Sequence, residues 1–76
     1  MCNSLFNARH LVASALSIAV NAVPGNAGMD TLEGWDSLGH MRIVLALEQN
    51  IGRALDTEEI LAISDVINLA EILEKS

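Results

Sequence analysis

The sequence has few aromatic residues, one cysteine and little positive charge. Phe6 and Trp35 are the only members of the Phe, Tyr and Trp group, and Cys2 is the only cysteine among 76 residues. A single cysteine excludes an internal disulfide and a thiolate metal cluster, so we expect Cys2 to be a free thiol in a reducing compartment such as the cytoplasm. Four Lys and Arg against ten acidic residues argue against nucleic-acid binding, because phosphate contacts need clustered positive charge.

A long uninterrupted apolar run is also missing. Residues 11–23, LVASALSIAVNAV, follow Arg9 and fit two interpretations, a signal-peptide core and an amphipathic helix. The run is too short, and too often broken by Ser and Asn, to span a bilayer. We therefore expect no membrane insertion.

Apolar residues nevertheless make up 51% of the chain, and they are mainly Leu, Ile, Val, Ala and Met. The period-two alternation that is typical of strands is missing, so the sequence predicts an all-α fold. A length of 76 residues suits a single domain that covers 1–76. All ten acidic residues lie from Asp30 onward, and this asymmetry suits a partner with a basic surface.

The first two helices are predicted on either side of a long loop. The first helix runs from about Ser4, its candidate cap, to Val20. The loop that follows contains glycines and a proline that forbid a long regular element, and Leu32 and Trp35 are placed to pin it to the core. The second helix begins at residue 36 or 37 and ends near residue 50, before Gly52, which suits a left-handed C-terminal position.

Two shorter helices complete the predicted fold. Asp56 or Thr57 caps the third helix, and this capping role explains the acidic cluster with Glu58 and Glu59 better than calcium binding does. Ser64 is the predicted cap of the fourth helix, whose apolar stripe comprises Val66, Leu69, Ala70, Ile72 and Leu73. The fold class is therefore a four-helix bundle with a short third helix and a long loop between helices 1 and 2.

The stretch EGWDSLGHM, residues 33–41, holds the candidate functional site. Asp or Ser before an apolar-periodic segment is a common N-cap signal, and a helix start also tolerates a phosphate. An exposed Ser37 hydroxyl there would suit a phosphodiester-linked prosthetic group. Asp36 would help to hold a divalent metal while another enzyme attaches that group, and Leu38 would anchor the serine backbone by pointing inward.

A serine hydrolase is an alternative, with His40 as the base three residues after Ser37. The Gly-x-Ser-x-Gly elbow and an evident oxyanion hole are missing, so we expect no catalytic residues and interpret His40 as an exposed helix residue. The sequence also has no glycine-rich phosphate loop, His-x-x-x-His pair or EF-hand loop, and we expect no metal site. An unmodified helical interaction module, in which Ser37 is only a cap, is the other alternative.

Residues 32–73 resemble the acyl carrier protein family. The resemblance rests on Asp36-Ser37-Leu38, on Ala46-Leu47-Glu48, on the Asp-x-Glu-Glu of the third helix and on the capped last helix. It implies that Ser37 carries 4′-phosphopantetheine, added from coenzyme A by a magnesium-dependent phosphopantetheinyl transferase. The arm would hold acyl or related groups as thioesters for partner enzymes, and the carrier itself would be a cytoplasmic, monomeric phosphoprotein without enzymatic activity.

Typical members of this family that act in fatty acid biosynthesis present an acidic second helix to basic patches on their partner enzymes. Here Asp36 and Glu48 are accompanied by His40 and Arg42, so we expect weaker electrostatic steering and a specialised pathway. Candidates are lipid modification, polyketide or nonribosomal peptide assembly, and polysaccharide decoration. The expected partner contacts are Leu38, Arg42, Val44, Leu45, Glu48 and Ile63, with at least one of Val44 and Leu45 exposed. The small side chains of Ala46 and Ala62 would leave room for cargo between helices or simply allow close packing.

Overall fold

The computed structural model describes residues 3–75 and contains four α-helices in that range. They are α1 (Asn3–Leu16), α2 (Ser37–Ile51), α3 (Thr57–Ala62) and α4 (Val66–Lys75), with a 3₁₀ turn at Val20–Ala22. The all-α bundle, the short third helix and the long connection between α1 and α2 are confirmed. Cys2 lies outside the described residues. No helix within 3–75 is both long and apolar enough to cross a membrane.

Helix α1 ends at Leu16, four residues earlier than predicted. Ser17 adopts a left-handed conformation with φ 59°, and its N–H donates to the carbonyl of Ser14 at 3.3 Å. The N–H of Ile18 donates to the carbonyl of Ala13 at 2.9 Å, which completes a Schellman-type turn. The apolar periodicity continues past this turn, so it did not reveal where the helix stops.

The two predicted serine caps were wrong. Ser4 lies inside α1, and its hydroxyl donates to Glu74 at 2.9 Å, which links the first and last helices. At α4 the capping group is the carboxylate of Asp65, which accepts the N–H of Asn68 at 2.8 Å. Ser64 lies one residue earlier, and both its N–H and its hydroxyl donate to the Asn68 amide oxygen at 3.0 Å.

The caps of the middle helices are confirmed. The Asp36 carboxylate accepts the N–H of Gly39 at 2.9 Å and begins α2, and left-handed Gly52 (φ 78°) ends it. The Asp56 carboxylate and the Glu59 backbone and side chain form a reciprocal capping box at the start of α3. These local bonds fix where α2 and α3 begin.

The core lies where α1 packs against α2 and α4. Trp35 from the long loop is 2% exposed and belongs to this core, while Leu32 packs partly buried against it, so the loop is pinned as predicted. The other buried apolar residues are Ala8, Leu11, Val12, Ala13, Val23, Ala27, Ile43, Val44, Leu47, Leu55, Ile63, Val66, Leu69 and Ala70. The buried Leu11, Val12 and Ala13 match the amphipathic-helix interpretation of residues 11–23 only as far as Leu16, because the chain leaves the helix there.

The long loop is tied to α1 near its start and to α4 near its middle. Arg9 of α1 donates to the carbonyls of Val23 at 2.7 Å and Val20 at 3.2 Å. Further along, the N–H of Val66 donates to the carbonyl of Ala27 at 2.9 Å. The loop therefore reaches the start of α2 as a supported segment.

Candidate functional site

Ser37 is the first residue of α2, and its side chain is exposed. The neighbouring Asp36 supplies the cap through Oδ1, which accepts the Gly39 N–H, whereas Oδ2 has no partner among residues 3–75. The Ser37 hydroxyl also makes no hydrogen bond to another described residue. The hydroxyl is therefore presented to solvent and is not needed to close the helix end.

Trp35 and His40 form a bridge behind the serine. The Trp35 indole Nε1 lies 3.1 Å from His40 Nδ1, and His40 Nε2 lies 3.1 Å from the carbonyl oxygen of Ile60 in α3. An indole N–H only donates, so Nδ1 accepts while Nε2 carries the proton and donates to the carbonyl. The expectation that His40 is exposed was wrong, because both ring nitrogens face protein groups and the residue is half-buried.

The tautomer of His40 argues against the alternative of a serine hydrolase in which His40 is the base. A general base needs a free lone pair within reach of the nucleophile. The Nδ1 lone pair of His40 already accepts the Trp35 N–H, and within residues 3–75 no hydrogen bond joins His40 to Ser37. In this arrangement, His40 positions the loop and α3 and is not available to accept a proton from Ser37.

Gly39 permits a close approach between the loop and the first turn of α2. A Cβ at this position would collide with the carbonyl oxygen of Gly34 and would lie 2.9 Å from Cδ2 of Leu16. Gly34 itself has a positive φ of 97°, which an L side chain rarely adopts. The two glycines together hold the serine-bearing turn against the end of α1.

The solvent face of α2 beside Ser37 is apolar. Leu38, Met41 and Leu45 are 64%, 49% and 56% exposed, and Arg42 is exposed on the same helix. The expectation that Leu38 points inward was wrong, because Gly39 occupies the inward position of the first turn. Met41 was not among the expected partner contacts, although its helical spacing from Leu38 and Leu45 was the available signal.

Two expected partner contacts are core residues. Val44 and Ile63 are each 1% exposed, so a direct contact with a partner was a wrong expectation for both. Exposure of at least one of Val44 and Leu45 is confirmed by Leu45. Glu48 is half-buried, and its Oε2 accepts the N–H of Leu55 at 2.8 Å, which supports the connection from α2 to α3.

Ala46 and Ala62, the small residues that were expected to leave room for cargo, line different cavities. A groove of about 250 Å³ beside the serine-bearing turn is lined by Leu16, Ile18, Glu33, Gly34, Asp36, Leu38, Gly39 and Arg42. Ala62 lines a different cavity of about 220 Å³ between α3 and α4, whereas Ala46 lines a groove between α1 and α2. The two alanines therefore do not share one space.

Asp56 and Glu59 of the acidic cluster stabilise the start of α3. Arg53 pairs with Glu59 at 2.9 Å, and this hydrogen bond, together with the Asp56 backbone N–H, lowers the pKa of Glu59 to about 2. Capping thus accounts for Asp56 and Glu59, as the sequence predicted. Within residues 3–75, no group of three or more His, Cys, Asp or Glu side chains is arranged to hold a metal ion.

Comparison with protein families finds no matching family model, and comparison with curated proteins finds no match.

Proposed function

We propose that the chain is an acyl-carrier-like protein whose Ser37 accepts 4′-phosphopantetheine from coenzyme A. The observation that carries the proposal is that Asp36, and not Ser37, caps α2. The Ser37 hydroxyl is exposed and has no hydrogen-bonding role among the described residues. An unmodified interaction module, with Ser37 as a mere cap, fits this geometry less well.

The surroundings of Ser37 suit attachment of a phosphodiester. The serine begins a helix of 15 residues, where backbone N–H groups and the helix dipole favour a phosphate. The free Oδ2 of Asp36 is available to approach the magnesium ion that a phosphopantetheinyl transferase uses. The Trp35–His40 bridge holds the turn in place during that encounter.

Once attached, the arm supplies a thiol that holds an acyl or related group as a thioester. The protein residues then present this group to loading and processing enzymes, and those enzymes supply the catalysis. The occupied nitrogens of His40 support a carrier without its own catalytic base. We propose that the carrier is a cytoplasmic monomer and that it serves a specialised lipid, polyketide, nonribosomal peptide or polysaccharide-modification pathway.

The exposed face of α2 supports docking of those enzymes. Leu38, Met41 and Leu45 form an apolar surface next to Ser37, and Arg42 adds a positive charge. Apolar side chains that stay exposed beside a modification site are typical of a partner interface. Leu38, Leu45 and Arg42 therefore remain proposed partner contacts. Glu48 instead stabilises the connection from α2 to α3 by accepting the N–H of Leu55.

Labelling with a fluorescent coenzyme A analogue tests the proposal. The purified chain is incubated with magnesium and a broad-specificity phosphopantetheinyl transferase, and in-gel fluorescence is measured. We expect label on the parent chain and on a Ser64→Ala variant, which removes another exposed serine near a helix start, but no label on Ser37→Ala. A folded parent chain that stays unlabelled beside a labelled control carrier would favour the unmodified module.

A further inference from the structure

Arg42 is an unpaired cation beside the serine. Arg9 donates to two loop carbonyls, and Arg53 pairs with Glu59. Arg42, in contrast, makes no hydrogen bond or ion pair with any residue in the described range 3–75. It also lines the groove of about 250 Å³ that adjoins the turn carrying Ser37.

Helix geometry places Leu38 between Ser37 and Arg42. Relative to Ser37, the side chain of Leu38 lies about 100° around the axis and that of Arg42 about 140°, about 7.5 Å further along. Long helical side chains lean toward the N-terminus, so the Arg42 guanidinium can reach a phosphate esterified to Ser37. A group that leaves Ser37 toward Arg42 must cross the exposed face of Leu38.

We propose that the phosphopantetheine arm folds over Leu38 into this groove, with its phosphodiester paired to Arg42. This inference rests on the proposed function, since it requires an arm on Ser37. The dimethyl carbon of the arm then packs on Leu38, and the following segment lies along Leu16 and Ile18 at the end of α1.

One charge of the groove favours this ligand and two oppose it. Glu33 and Asp36 also line the groove, and their carboxylates repel an anionic phosphodiester. Arg42 offsets that repulsion through a charge-assisted hydrogen bond. Gly34 supplies a backbone N–H that has no partner within residues 3–75, and this group suits a carbonyl of one of the amides of the arm.

Nuclear magnetic resonance of the loaded protein tests the path of the arm. Intact mass first establishes complete loading, and nuclear Overhauser effects are then measured from the dimethyl protons of the arm and from the methylene protons that follow them. We expect cross-peaks from the dimethyl protons to the methyl groups of Leu38 and from the methylene protons to those of Ile18. Cross-peaks to Leu61 of α3 instead, or dimethyl signals like those of free pantetheine, would overturn the proposed path.

A charge-removing pair of variants tests the part played by Arg42. In loaded Arg42→Gln, the Leu38 and Ile18 cross-peaks should weaken, and the phosphorus resonance should shift toward that of a free phosphodiester. Arg53→Gln removes the same charge just beyond the opposite end of α2 and should change neither signal. Equal spectra for Arg42→Gln and the parent would overturn the pairing.

The two proposals fail in different ways. If the chain is loaded but the arm makes no contact with the groove, the proposed carrier function stands and the proposed path of the arm is wrong. If the chain gains no mass at Ser37, both proposals are wrong. The mass measurement therefore precedes the resonance measurement and separates these outcomes.

Discussion

The Trp35 indole N–H donates to Nδ1 of His40 across 3.1 Å, and the same imidazole donates from Nε2 to the carbonyl of Ile60 at 3.1 Å. One side chain thereby joins the long loop, α2 and α3. Trp35 is 2% exposed, so its N–H has little access to water as a substitute partner. The bridge holds the serine-bearing turn on the two helices.

Replacing His40 with Ala should reduce the free energy of unfolding. The change leaves the Trp35 N–H buried without its acceptor and removes the donor to Ile60, and an unsatisfied buried group costs about 1–3 kcal/mol. Urea unfolding followed by the fluorescence of the single tryptophan measures the effect. His10→Ala is the matched control, because His10 is exposed and only contacts the tilted ring of Phe6, and it should cost less than about 0.5 kcal/mol. Equal losses in the two variants would contradict the role of the bridge.

Replacing Gly39 with Ala should destabilise the protein, although Ala is normally the better helix former by about 1 kcal/mol. The added methyl group meets the Gly34 carbonyl and Leu16, and such overpacking costs about 1–3 kcal/mol. Thermal unfolding by circular dichroism measures the change. Asn50→Ala, at an exposed position of α2, serves as the control and should not lower stability. A gain of stability in Gly39→Ala would mean that the close approach is absent.

Replacement by Asp should have opposite effects on folding at the adjacent residues Val44 and Leu45. Val44 is 1% exposed, so Val44→Asp buries an unpaired charge and should cost more than about 3 kcal/mol, with loss of the helical circular-dichroism signal. Leu45 is 56% exposed, so Leu45→Asp should keep that signal while slowing loading by the transferase. A folded Val44→Asp variant, or a loading rate unchanged in Leu45→Asp, would contradict the assignment of these faces.

Acid stability should depend on Glu59. The pKa of Glu59 is lowered to about 2, first by the hydrogen bond from Arg53 and then by the Asp56 N–H. Because the folded-state pKa is depressed, the stabilisation is present above the usual value of 4.5 and is lost as the pH falls toward 2. Melting temperatures between pH 7 and pH 2 should therefore fall less steeply in Glu59→Gln than in the parent. Glu58→Gln, without a hydrogen bond to a described residue, should keep the parent slope.

The parts of the fold that local chemistry determines could be predicted from the sequence. Asp36, Gly52 and Asp56 mark helix ends by bonds within a few residues, and the structure confirms all three. The end of α1 escaped prediction because Ser17, and not Gly, takes the left-handed position. No local signal distinguishes such a serine from one inside a helix.

The candidate site was predictable in its position but not in its orientation. Apolar residues cover so wide an arc of α2 that periodicity alone does not say which edge is buried. The close approach at Gly39 settles the rotation and turns Leu38 outward and Val44 inward. The role of His40 depends on Ile60, which is 20 residues away along the chain, so spacing from Ser37 did not reveal it.

Intact mass spectrometry after incubation with coenzyme A, magnesium and a broad-specificity phosphopantetheinyl transferase tests whether Ser37 is an attachment point. The parent chain should gain the mass of one phosphopantetheine group, peptide mapping should place it on Ser37, and Ser37→Ala should gain nothing while keeping the parent circular-dichroism spectrum. A folded parent chain that gains no mass while a control carrier is fully converted would contradict the carrier function, and a gain that persists in Ser37→Ala would contradict attachment at Ser37.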